Sequence, residues 1–225
     1  MPYSTSGVLV DALTFDKFAP NNYMRSLGVS VADSLIIRIG QENEVSDEDI
    51  LDRIGLPCFV KPARGGSSFG TTKVKTPEAL RPAIELALKE GEDVMVEAFM
   101  GGTEITCGCY KTRNSSHVFP ITEVVTTNEF FDYDAKYNGQ VEEITPARIS
   151  ERLTQRVQTL TSTIYDILGC YGIIRIDYII TEGEKINLLE INTTPGMTAT
   201  SFIPQQIRAA GLDIKDVMTD IIEGK

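Results

Sequence analysis

The chain has 225 residues, a net charge of −11, 42% hydrophobic and 24% charged residues: an ordinary globular composition, long enough for one large domain or two small ones. The acidic balance and the lack of a basic tract argue against nucleic acid as a partner, because non-specific binding needs clustered Lys and Arg, although a few converging cations still suit a nucleotide. No apolar run reaches membrane-spanning length and Met1 to Gly7 has neither part of a signal peptide, so a cytoplasmic protein with no membrane partner is expected.

Strand-like and helix-like signals alternate along the chain, which predicts a mixed α/β or α+β fold. Residues 14–27 read as a helix interrupted by Pro20, and residues 31–37 as a strand. Residues 46–54 read as a short helix with Ser46 as N-cap and acidic residues in its first turn. An apolar strand over 56–61 ends in Lys61, and 63–70 is a Gly/Ser loop. A short strand over 71–74 precedes a helix opened by Thr76-Pro77 and running to about Lys89. Strands follow over 93–99, 104–111 and 118–125. Residues 126–145 are long, polar and aromatic without a clear period, as in a loop that is functional or disordered. Residues 150–168 form the clearest amphipathic helix. Strands over 172–180 and 185–192 are joined by a tight turn at Glu182-Gly183, and helices near 201–210 and 214–222 end the chain. A boundary is expected near Gly101-Gly102.

Four cysteines include no CxxC pair and His117 is the sole histidine, so a zinc site is not expected. Cys107 and Cys109 read as small buried side chains in a reducing compartment.

The strongest chemical signal is Arg175-Ile176-Asp177 followed by Glu190-Ile191-Asn192. Residues two apart on a strand share a face. The turn at Glu182-Gly183 would pair Arg175 with Glu190 and Asp177 with Leu188, placing Arg175, Asp177, Glu190 and Asn192 on one side of a hairpin. Such a set suits a divalent metal bridging phosphates, since Mg²⁺ prefers oxygen ligands; a solvated face with one Arg–Glu pair explains the same alternation. Lys61-Pro62-Ala63-Arg64-Gly65-Gly66-Ser67-Ser68-Phe69-Gly70 is not a Walker A motif, because its Lys precedes the glycines. It still offers cations, hydroxyls and backbone N–H groups to a phosphate, or serves as an ordinary turn. Glu97 and Glu104 flank Gly101-Gly102 and read individually as strand-end charges. Phe130-Phe131-Asp132-Tyr133-Asp134-Ala135-Lys136-Tyr137 carries four aromatics in eight residues. It is either a loop pinned by its rings or a lid over a substrate. Asn192-Thr193-Thr194-Pro195-Gly196-Met197-Thr198 joins a strand to a helix, where free N–H groups can bind an anion.

In order and spacing, Asp16-Lys17, Lys61-Pro62, Gly65 to Gly70, Tyr133 to Tyr137, Arg175-Ile176-Asp177 and Glu190 to Thr198 resemble the D-alanine–D-alanine ligases, over nearly the whole chain. The resemblance implies an α+β fold of the ATP-grasp type, with the nucleotide between two α+β subdomains, 17–101 and 102–225, after a linker remnant over 1–16. It implies that Lys17, Lys61 and Lys136 contact ATP, that Ser67 and Ser68 cover its phosphates, that Glu97 and Phe99 lie at the adenine and that Glu104 lies at the ribose. Asp177, Glu190 and Asn192 would hold two Mg²⁺ ions, with Mn²⁺ as an alternative. Arg175 and the Gly196 N–H would stabilise an oxyanion, Ser201 would hold the acceptor's carboxylate, and Tyr137 would close the lid through Glu104 and Ser67. The implied reaction joins two D-alanines through an acyl phosphate, for peptidoglycan.

Members of that family carry a further domain upstream of Pro2-Tyr3 that holds the first D-alanine. By this resemblance the chain begins as a truncated piece, inactive by itself, and a homodimer would be a property of the full-length protein. Phe99 stands where many relatives have Trp. The alternatives are a nucleotide-binding fragment without catalysis, or a related ligase taking D-lactate or D-serine as acceptor; the Ala135-Lys136-Tyr137 loop favours D-alanine.

Overall fold

The structure, a computed structural model, describes residues 3–66, 69–91, 93–126 and 141–224. The elements run α1 (Val8–Phe15), α2 (Phe18–Ser26), β1 (Ser34–Ile37), α3 (Asp47–Ile54), β2 (Cys58–Pro62), β3 (Thr72–Val74), α4 (Leu80–Leu88) and β4 (Val94–Ala98). They continue through β5 (Thr103–Lys111), β6 (Ser116–Val118), β7 (Thr122–Thr126), β8 (Val141–Ile144), α5 (Glu151–Leu168), β9 (Ile174–Thr181), β10 (Lys185–Asn192), α6 (Phe202–Ala209) and α7 (Ile214–Glu223). The chain divides into two compact units: Phe15–Gly101 with Thr126–Val141, and Met1–Thr14 with Gly102–Val125 and Glu142–Lys225. No helix among the described residues is long and apolar enough to cross a membrane.

The first unit is built on an antiparallel sheet in the order β1-β4-β2-β3. Alternation sends Val60, Val94 and Val96 to one face, where they are sealed by Ile50 and Ile54 of α3 and Leu80, Ala83, Ile84 and Ala87 of α4. Ser46 caps α3 by accepting from the Asp49 N–H at 3.1 Å, as its sequence position demands. Residues 14–27 hold the end of α1 and the whole of α2, which runs unbroken through Pro20. Asp16 accepts from the N–H groups of Phe18 (2.9 Å) and Ala19 (2.8 Å) and so starts α2. Pro20 then lies in the first turn, where its missing N–H would have had no helical partner.

The second unit carries a six-stranded sheet whose path is β10-β9-β5-β7-β8, with β6 paired to β5. One face presents Ile105, Cys107, Cys109, Ile174, Ile176 and Tyr178, all fully buried. The amphipathic α5 lies on it with Leu153, Val157, Ile164 and Tyr165 inward, and Thr161 of α5 meets the Tyr178 hydroxyl at 2.8 Å. Burial pushes the Cys107 and Cys109 thiols up to about 12, which leaves them inert fillers of this face.

The opposite face receives α6. A Cβ on Gly108 would stand 2.4 Å from Ile203 Cδ1 and 2.8 Å from Gln206 Oε1, so only glycine admits the helix there. Gln206 is fully buried. It accepts from the Gly108 N–H at 2.9 Å and donates to the Thr106 carbonyl at 3.0 Å, taking over where the β5–β7 ladder lapses. The run over 118–125 is two strands, because Pro120 has no N–H to continue a ladder. β8 lies within the stretch expected as loop; Val141-Glu142-Glu143-Ile144 is too short and polar to announce a strand.

Candidate functional site

In the first unit, pairing aligns Lys73, Phe59, Glu97 and Ser34 as one row across the four strands. This row lies on the face away from α3 and α4. Lys61, two residues on from Phe59, reaches the same carboxylate: its Nζ is 2.6 Å from Glu97 Oε2, with side-chain exposures of 13% and 3%. Oε1 of Glu97 and Oγ of Ser34 are buried and, among the described residues, have no hydrogen-bond partner. At the end of β4 the Phe99 ring lies 6.0 Å from that of Phe59, with Lys73 Nζ 4.0 Å above it. A half-exposed aromatic edge beside a buried, unsatisfied carboxylate oxygen suits a flat heterocycle carrying an amine.

Lys17 N donates to the Ala63 carbonyl at 2.7 Å and Lys17 Nζ to the Gly65 carbonyl at 2.8 Å, so Lys17 stands at the glycine loop that follows Lys61. Arg64 lies 3.5 Å from Asp93, which also holds Arg38 at 2.6 Å. Ser67 and Ser68 of this loop, and Lys136 and Tyr137 of the aromatic segment, lie outside the described residues. Burial opposes the Asp93 charge, but the Ile39 N–H, Arg38 and Arg64 outweigh it and hold the carboxyl below its ordinary range. A carboxyl depressed on folding stabilises above its unfolded value of about 4 and loses that contribution as pH falls through the folded value. Asp93→Asn is therefore expected to lower stability at pH 7 but to flatten its decline below about pH 4, measured by urea unfolding at a series of pH values.

In the second unit, β9 alternates buried and half-buried residues, placing Arg175 and Asp177 on the face opposite α5. The hairpin register differs from the one expected. It shifts between Leu188 and Glu190, so Asp177 stands opposite Glu190 and Arg175 opposite Asn192. The shift is a bulge at Leu189. Ile186 and Leu188 occupy the buried face; strict alternation would send Glu190 there too. The extra residue instead returns Ile191 to the core and turns Glu190 and Asn192 outward beside Asp177.

Arg175 forks onto Asp177, with Nε 2.9 Å from Oδ1 and Nη2 2.8 Å from Oδ2. Asn192 Nδ2 adds a contact to Oδ2 at 3.3 Å, and the Phe202 ring of α6 lies 5.3 Å from the guanidinium. Burial works against the charge on Arg175, yet Asp177 first, then Glu190 and Glu104, raise it above the ordinary arginine value. Arg175 thus lies beside two carboxylates, Asp177 and Glu190, which are directly opposed across the strands. Like charges in that position are destabilising, and the residual charge calls for a further cation. Two carboxylates and an amide oxygen match the oxygen-only preference of Mg²⁺, so the residues present fit a divalent ion. Among the described residues, no group of three or more His, Cys, Asp or Glu side chains is placed to hold a metal; this face offers two carboxylates and an amide.

The segment after β10 is exposed and tightly turned. Ser201 Oγ accepts from the Thr198 N–H at 3.2 Å and lies 2.7 Å from Thr198 Oγ1. A Cβ on Gly196 would stand 2.9 Å from that Oγ, so a side chain there would displace the Ser201 hydroxyl from its place. Thr193 Oγ1 meets Thr14 of α1 at 3.3 Å. Phe59, Lys73, Thr106, Phe202 and Gln206 were not singled out from sequence. Strand register places the first three, and the packing of α6 the last two, beside the residues that were.

Two antiparallel α+β units, one with a buried Lys–Glu pair beside aromatic rings and one with a bulged carboxylate hairpin, define an ATP-grasp protein. Solved structures agree. The VanG D-Ala:D-Ser ligase of Enterococcus faecalis superposes with a TM-score of 0.88 at 32% identity, over 99% of this chain and 65% of that one. The D-alanine–D-alanine ligase of Bacillus anthracis gives 0.83 at 29% identity, over 100% of this chain and 71% of that one. The profile of the D-ala D-ala ligase C-terminus matches residues 23–223. The chain is 74% identical over 225 residues to the D-alanine–D-alanine ligase of Bacteroides fragilis, spanning 69% of that protein's length, and 69% identical to that of Phocaeicola vulgatus. The chain belongs to the D-alanine–D-alanine ligase family.

Proposed function

We propose that this chain forms the nucleotide-binding and catalytic part of an ATP-dependent ligase that joins two D-alanines. The carboxylate of the first would attack the γ-phosphate, giving an acyl phosphate and ADP. The amine of the second would then attack the acyl carbon and expel phosphate. The observation that carries this reading is the hairpin face on which Asp177, Glu190 and Asn192 stand together beside Arg175. Asp177, Glu190 and Asn192 would hold two Mg²⁺ ions, which when bound neutralise charge on the phosphates. Arg175 and the Gly196 N–H would donate to the oxyanion of the tetrahedral intermediate, and Ser201 would orient the acceptor's carboxylate. Lys17 and Lys61 would contact the phosphates, Glu97 and Phe99 the adenine, and Glu104 the ribose; Ser67, Ser68, Lys136 and Tyr137 would complete the cover. Positioning and charge neutralisation suffice for such a transfer, and no protein nucleophile is needed. Identity of 74% to a protein named for D-alanine, against 32% to one named for D-serine, supports D-alanine as acceptor.

Calorimetric titration with a non-hydrolysable ATP analogue is expected to show binding that strengthens at least tenfold with Mg²⁺. Binding indifferent to Mg²⁺ would overturn the metal assignment, and no binding at all would overturn the nucleotide reading for this chain.

A further inference from the structure

Strand pairing in the second unit sets Thr122, Thr106, Asp177 and Glu190 in a single row across β7, β5, β9 and β10. Thr122 and Asp177 in that row have hydrogen-bond partners; among the described residues Thr106 has none for its hydroxyl. Thr122 Oγ1 meets Thr145 Oγ1 at 2.6 Å and accepts from Gln206. Asp177 is held by Arg175 and Asn192. Thr106 is 1% exposed, and its Oγ1 has no hydrogen-bond partner among the described residues. A buried orphan hydroxyl carries a desolvation cost that valine at the same position would avoid. Directly opposed residues have Cβ atoms about 4.5–5.5 Å apart, which puts the Thr106 hydroxyl and the Asp177 carboxylate within reach of each other through a side-chain rotation.

Of the roughly four lone-pair positions on a carboxylate, Asp177 has Arg175 on Oδ1 and both Arg175 and Asn192 on Oδ2. A divalent ion drawing on this carboxylate competes with the arginine fork, and a carboxylate pulled away from the fork needs another donor to hold its orientation. Thr106 is the donor waiting opposite.

We propose that Thr106 is a positioning residue for the cation site: its orphaned hydroxyl donates to Asp177 when a divalent ion takes the carboxylate from Arg175. This rests on the metal reading above. Outer hydrogen bonds of this kind fix ligand orientation, and their loss weakens metal binding by about 10- to 100-fold. Mn²⁺ binding to the chain with a saturating ATP analogue, followed by electron paramagnetic resonance, is the test. Thr106→Val is expected to weaken Mn²⁺ binding at least tenfold, Thr106→Ser to stay within about twofold of wild type, and the metal-free thermal midpoint of Thr106→Val to be unchanged or raised. Wild-type Mn²⁺ affinity in Thr106→Val would overturn the proposal while leaving the metal reading standing. Failure of the wild-type chain to bind Mn²⁺ would remove both. If Thr106→Val does not fold, equal Mn²⁺ affinity in Thr106→Ala and Thr106→Ser overturns it equally.

Discussion

Replacing Glu190 by alanine is expected to abolish Mg²⁺-dependent binding of an ATP analogue and to leave the thermal midpoint unchanged or raised. Replacing Asp177 is expected to abolish the same binding and also to weaken the fold. The difference follows from the register. Glu190 stands directly opposite Asp177, a like-charge pair whose removal relieves up to about 1 kcal/mol. Asp177 is the principal partner of Arg175, whose side chain is only 19% exposed. Taking that partner away leaves a largely buried guanidinium with the weaker support of Glu190, Glu104 and the Phe202 ring, at a cost of about 3 kcal/mol. In a chain of this size that lowers the midpoint by roughly 6–12 °C. Calorimetry and a melting curve on each variant settle it. Equal destabilisation by the two substitutions would mean that the hairpin face is an ordinary ion-pair network. Mg²⁺-dependent binding surviving in Glu190→Ala would remove that residue from the metal set.

The same hairpin marks how far the sequence could be read. The two strands, their turn and the choice of Arg175, Asp177, Glu190 and Asn192 follow from alternation and from turn residues. Which of these residues face one another does not, because a bulge adds one residue to one strand and leaves no compositional trace; Leu189 is an ordinary strand residue. The helices were legible where caps are local, as at Ser46 and Ser150, whose hydroxyls accept from N–H groups three residues on. They were misjudged where the decisive contact is a side chain acting as a start signal, as at Asp16. The roles of Gln206 and Gly108 were out of reach, since the first is a buried glutamine that completes a ladder nearly a hundred residues away in sequence and the second is a glycine required by a helix from the chain's end. The motifs are legible because they are patterns of residue type; the supporting residues are not, because packing restricts residue type only weakly.

Lys61→Met is expected to be the most damaging single change in the first unit, for a reason separate from any phosphate contact. Glu97 is 3% exposed at its side chain, and Lys61 is the cation at 2.6 Å from it. The other oxygen, Oε1, already lacks a partner among the described residues. Removing the lysine leaves a buried carboxylate unanswered, which costs about 3–5 kcal/mol. That is a large share of the 5–15 kcal/mol that typically holds a domain together, and in a unit of about a hundred residues it corresponds to roughly 12–40 °C in midpoint. Neutralising both partners reverses this: a buried ion pair replaced by apolar groups of similar volume is commonly neutral or stabilising. Lys61→Met with Glu97→Leu should therefore recover most of the midpoint while ATP-analogue binding stays lost. A single variant as stable as wild type would show that water already screens the pair. A double variant that binds nucleotide normally would show that the pair serves the fold alone. Recovery of stability without recovery of binding would mean that the sheet tolerates greasy side chains at both positions, and that the charges are kept for the ligand they meet.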